Sequence, residues 1–178
     1  NLNGAGIISL GNNSTLNLGG YALANTVNPN ENARIGNGVI NGKLTVGANK
    51  TLFLCGDIGG SAVMTLEENS TLNLGGHTLT NTVILNESAR IGNGTFNGNL
   101  MVKSAKTLTL SGNLRGEGNI TLGYKATLDL GGCQLYNSVT LDGASSRASI
   151  GYGELYGTMT VGSAQWLTLL SDLKGYGT

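Results

Sequence analysis

His77 is the only histidine in the chain, so any Ser-His-Asp or Cys-His arrangement would have to use it. Its counterparts 56 residues to either side are Tyr21 and Cys133. Such exchange suits a tolerant outward corner better than a catalytic base. The carboxylates argue the same way. A glycosidase sets two of them about 5–10 Å apart. Glu67 and Glu68 are adjacent, and neighbouring residues of a strand point to opposite faces. Elsewhere carboxylates interchange with asparagine: Asp57 answers to Asn113, and Asp129 to Asn17 and Asn73. That is the behaviour of a solvated surface, so the chain reads as a non-enzyme. No metal or other cofactor is implied, since ligating side chains do not cluster.

Two further chemistries remain. Six aromatic residues fall in the last third: Tyr124, Tyr136, Tyr152, Tyr156, Trp166 and Tyr176. Tyr136 and Tyr156 directly follow Leu135 and Leu155, so they should be outward neighbours. Tyr136, Tyr156 and Trp166 are the candidate glycan contacts. An ordinary cross-strand pair worth about 0.2–1 kcal/mol is the simpler account of the two tyrosines and the favoured one. A threonine ladder of the ice-binding kind would use the column Thr15, Arg34, Thr51, Thr71, Arg90, Thr107, Thr127, Ser149, Trp166. Arg34, Arg90 and Trp166 interrupt it.

These residues hang on a repeat. "STLNLGG" at 14–20 returns at 70–76 and as "ATLDLGG" at 126–132. "NARIGNGVINGKLTV" at 32–46 returns as "SARIGNGTFNGNLMV" at 88–102 and loosely as "RASIGYGELYGTMTV" at 147–161. Three tandem repeats follow, about 1–56, 57–112 and 113–171, with the start of a fourth at 172–178. Repeats of this length mark a stacked architecture.

Each repeat divides into three coils, each with three aliphatic columns. One runs Leu16, Ile35, Leu52, Leu72, Ile91, Leu108, Leu128, Ile150, Leu167. A second runs Leu23, Ile40, Ile58, Leu79, Phe96, Leu114, Leu135, Leu155, Leu173. A third consists of alternating pairs such as Leu44/Val46 and Met64/Leu66. Pro29 stands where the next repeat has Leu85, and should weaken its strand because proline cannot donate to a ladder. The expected fold is all-β: a parallel β-helix, or β-solenoid, of about nine coils with three short strands per coil. Coil lengths of 17 to 22 suit a right-handed helix. Six-residue spacing from Ile40 to Met64 leaves the left-handed form open. Alternation sends Leu16 and Leu18 inward and Thr15 and Asn17 outward. Gly-Gly and Gly-Asn-Gly stretches should turn the corners. Asn37 and Asn93 are expected to point inward and to need partners.

Composition narrows the function. The 178 residues include 30 glycines and one proline, carry ten charges of each sign and show no basic patch. Nucleic acid is therefore not an expected partner. No apolar run approaches the roughly 18 residues of a membrane helix. Cys55 and Cys133 fall in the third and seventh coils, about 19 Å apart along the axis, too far for a disulfide. Seven Asn-x-Ser/Thr sequons occur, at Asn12, Asn13, Asn49, Asn69, Asn86, Asn93 and Asn119, and would carry sugar if the host glycosylates.

The runs "TLNLGG", "TLTLSG" and "ITLGYKATLDLGG" resemble the β-helical repeats of secreted bacterial surface proteins, such as autotransporter passengers and filamentous adhesins. Such runs cover the whole chain. Similar strings occur in polysaccharide-degrading β-helices, so they mark the architecture more than one family. The resemblance implies an extracellular or cell-surface location and transfers no functional residue. The expected role is a rigid rod in a surface fibre, sheath or adhesin. The alternatives are a polysaccharide-binding module and, behind it, a polysaccharide-active enzyme or ice-binding protein. "NLNGAGI" at 1–7 aligns with "DLKGYGT" at 172–178, without atypical capping coils. End-to-end self-association is the expected partnership, with surface glycans as a further candidate partner.

Overall fold

A computed structural model describes residues 1–176. Among them there is no helix. Three parallel sheets of nine strands each form a β-solenoid of nine coils. The first coil contributes Ile7–Leu10 to sheet I, Ser14–Asn17 to sheet II and Ala22–Leu23 to sheet III. The ninth contributes Met159–Thr160, Trp166–Leu169 and Leu173–Lys174. Leu2 adds a single bridge to Leu23. Part of the expected fourth repeat, residues 177 and 178, lies outside the described residues.

The core is the sum of the inward columns. Leu52, Leu72, Ile91, Leu108, Leu128 and Ile150 are fully buried, as are Leu44, Met64, Val83, Ile120 and Val139. In the first coil, Leu16 and Leu18 are only partly buried. The pairs on sheet I follow the expected order throughout, from Ile8 with Val27 to Val139 with Met159. Pro29 acts on one side only. Its strand Thr26–Pro29 pairs over four residues with Ile7–Leu10 but only through Val27 with Leu44. The counterpart strand Thr82–Leu85 keeps three pairs on that side.

The other two columns need correction. Ile35 does not sit on Leu52. It pairs with Leu54, and Ala33 takes the place opposite Leu52. The same slip puts Ala89 opposite Leu108 and Ala148 opposite Leu167. On sheet III, Ile58 pairs with Gly38, Leu114 with Gly94 and Leu173 with Gly153. The cause is that small inward residues count as rungs too. A column drawn through large aliphatic residues overlooks Ala33 and Gly38. Because the slip is two residues, every side chain keeps its face.

Corners are set by backbone chemistry. Gly19 and Gly20 have φ of 57° and 86°, with the same conformation at Gly75–Gly76 and Gly131–Gly132. Asn17 is exposed, yet its Oδ1 accepts from the Gly19 N–H at 3.0 Å and so fixes the turn. Asn73 and Asp129 repeat this for Gly75 and Gly131. Asparagine and aspartate exchange here because both offer the same acceptor.

Asn37 and Asn93 do not point inward. Both are exposed corner residues with φ near 60°, a conformation asparagine tolerates better than most residues. The buried asparagines are Asn25, Asn81 and Asn137. The Nδ2 of Asn81 donates to the carbonyls of Ile40, Gly60 and Ala62, tying together two preceding coils. Asn137 does the same toward Phe96 and Gly118. No room remains beside them: a Cβ on Gly98 would stand 2.0 Å from the Asn81 carbonyl oxygen.

Candidate functional site: a tyrosine stack and the clefts beside it

Departures from the repeat gather on the outer face of sheet III, in the last four coils. Leu114, Leu135 and Leu155 point inward and are buried. Alternation therefore sends Arg115, Tyr136 and Tyr156 outward. Tyr136 and Tyr156 stack with ring centroids 4.8 Å apart and planes 9° from parallel. Arg115 covers the other face of Tyr136 at 5.0 Å. Tyr176 leans on Tyr156 at 6.1 Å and 47°. The two-residue slip on this sheet brings Tyr176 into the row, since Leu173 sits opposite Gly153 instead of Leu155.

A polar row runs alongside. Asn113 Oδ1 accepts from the Gln134 backbone N–H at 2.9 Å. Gln134 Nε2 donates to Glu154 Oε2 at 2.9 Å, and the Tyr156 hydroxyl donates to the same oxygen at 2.9 Å. Lys174 is the register partner of Glu154. The Gln134 and Tyr156 hydrogen bonds, helped by the Lys174 charge, hold the Glu154 carboxyl below the usual carboxylate range. The Tyr156 phenol is pushed up in turn, chiefly by its hydrogen bond to Glu154. Glu154 is thus an ionised acceptor at neutral pH, not a proton donor.

Of the three sequence candidates, Tyr136 and Tyr156 are brought together and Trp166 is not. Trp166 lies on sheet II, with the Arg147 guanidinium 4.7 Å from its ring centroid. Both faces of Tyr136 are occupied, and so are both of Tyr156. Neither offers a free ring face to a sugar.

Tyr152, which is not among those three candidates, does. It is 62% exposed and has a φ of 36°. Its repeat counterparts are Asn37 and Asn93. A positive φ is uncommon for a bulky residue. One backbone bond of the corner survives the exchange. Gly132 N–H donates to the Tyr152 carbonyl at 2.8 Å, as Gly76 does to Asn93 and Gly20 to Asn37 at 2.6 Å. The Tyr152 N–H also donates to Ser171 Oγ. The available signal was the sequence change itself, "GNG" to "GYG".

The remaining candidates are dispersed. His77 Nδ1 lies 3.8 Å from Asp57 Oδ1, which already accepts from the Thr78 N–H. Cys55 and Cys133 are both free thiols. Burial, and next the Asp129 charge, push the Cys133 thiol up. The threonine column drawn on sheet II is broken by the slip: Arg34 pairs with Phe53, its guanidinium 5.7 Å from that ring. Four hydroxyls do line up, on Thr107, Thr127, Ser149 and Thr168. No helix of the described residues is long and apolar enough to cross a membrane. Comparison of the chain with protein-family models, curated proteins and solved structures finds no significant match.

Proposed function

We propose that this chain is a structural segment: a rigid rod in an extracellular surface fibre, sheath or adhesin, acting by mechanics. The supporting observation is continuity. Each of the three nine-stranded ladders runs the whole length without a break. At about 4.8 Å per coil the rod is about 43 Å long. Its core is a set of stacked aliphatic columns with hydrogen-bonded asparagines at one corner. The outer coils expose Ile7 at one end and Leu169 and Leu170 at the other, beside sheet edges that pair on one side only. Such edges favour the addition of further coils, from the same polypeptide or a second copy.

Electron microscopy and sedimentation test this reading. Rods of uniform width, lengthening as concentration rises, are the expected result. A strictly monomeric chain that cleaves a polysaccharide would overturn it.

A second reading is polysaccharide binding on one face. It is favoured by the gathering of aromatic and polar departures from the repeat along sheet III and its corner, where the exposed ring of Tyr152 lines a cleft with Glu154. Retention of the chain on immobilised polysaccharide tests it directly.

A further inference from the structure

The corner between sheets II and III carries the same cleft twice. One, of about 320 Å³, is lined by Gly132, Tyr152, Glu154, Ser171, Asp172 and Lys174. The other, of about 640 Å³, lies three coils earlier and is lined by Gly76, Asn93, Thr95, Gly112, Asn113 and Arg115. The residues correspond one to one by repeat position. The fold therefore builds the cleft in both the second and the third repeat, about 14 Å apart along the axis at about 4.8 Å per coil. Sequence divergence then furnishes the later copy.

Its furnishing suits a sugar. The exposed Tyr152 ring stands at the wall, over Gly132: a Cβ there would lie 3.1 Å from the ring. Asp172 offers an acceptor and Lys174 a donor. Glu154, held by Gln134 and Tyr156, is a fixed second acceptor. Charge narrows the polymer class. The Tyr152 cleft holds two carboxylates and one ammonium, whereas the earlier cleft has one guanidinium and no carboxylate. An anionic chain is disfavoured at the first and a cationic chain at the second. A neutral chain meets no repulsion at either.

We propose that this corner is a row of subsites for a neutral polysaccharide lying along the solenoid axis, with one sugar ring stacked on Tyr152. The proposal rests on the polysaccharide-binding reading and fixes its place and ligand class. Spaced subsites on one rigid rod would combine their binding free energies through effective concentration.

The test uses the whole chain on an array of neutral polysaccharides (mannan, β-1,3-glucan, xylan, dextran) and anionic ones (heparin, polygalacturonate). Binding to at least one neutral polymer is expected, in preference to both anionic ones. Tyr152→Asn restores the residue of the other two repeats, so it should fold with an unchanged or higher Tm. It should nevertheless weaken binding by about tenfold, the upper range for one aromatic contact. Asp172→Ala, which removes the acceptor, should also weaken it, without change in the folded spectrum. Neutral-polymer binding that survives both substitutions would overturn this site and leave the broader reading standing. Preference for the anionic polymers would overturn the ligand class. Binding to no polysaccharide on the array would overturn both.

Discussion

Tyr136 and Tyr156 lie face to face across adjacent coils, their ring centroids 4.8 Å apart and their planes 9° off parallel. The separation matches the rise of the solenoid, about 4.8 Å per strand, so the fold itself sets the stack. Replacing each tyrosine by leucine, singly and together, should reveal a coupling of about 0.5–1.5 kcal/mol in a urea-unfolding double-mutant cycle. A coupling of zero would show that the rings do not hold this geometry in solution.

The Glu154 pair gives the protein a pH signature. The Glu154 carboxyl is lowered from its ordinary 4.5, so its contribution is present above that value and lost as pH falls through the folded-state value. Tyr156 is raised from 10.0, so its contribution is present below that value and lost as pH rises through the folded-state value. Tm measured against pH should decline at both extremes. Glu154→Gln should flatten the acid decline and reduce the alkaline one. An unchanged profile in that variant would exclude the pairing.

Asn81 and Asn37 should behave oppositely on substitution. Asn81→Ala removes donors to three carbonyls in a buried corner and should cost about 1–3 kcal/mol by denaturant unfolding. Asn37→Gly keeps the left-handed corner on the surface and should be nearly neutral. Equal losses would contradict the placement of the two residues.

Ala105 holds a φ of 59° at a corner where its counterpart Asn49 has 60°. Alanine is penalised there and asparagine much less so. Its backbone N–H bond to the Tyr124 carbonyl needs no side chain. Ala105→Asn should therefore raise stability by about 0.5–1 kcal/mol, read as a higher denaturant midpoint at unchanged m-value. A fall in the midpoint would mean that this corner is not left-handed.

Much of the fold was legible because its signals are local. Leu72 and Leu128 announce themselves by alternation, and Gly75–Gly76 by the need for positive φ. The tyrosine pair was legible as well, since Leu135 and Leu155 fix which side Tyr136 and Tyr156 take. The occupied faces of that pair were not legible. They depend on Arg115 and Tyr176, which come from other coils. The cleft at Tyr152 was equally hidden, since its walls span residues 132 to 174.

Sequence by itself therefore determined the period, the inward face of the large aliphatic residues and the Gly-Gly corners: each follows from what one residue prefers for its own backbone and face. Tertiary structure alone decided the register. Alternation has a period of two, so sliding a strand by two residues leaves every side chain on its face and the pattern unchanged. Packing broke the tie by setting Ala33 under Leu52 and Gly153 opposite Leu173. That choice put Tyr176 beside Tyr156 and Arg147 against Trp166.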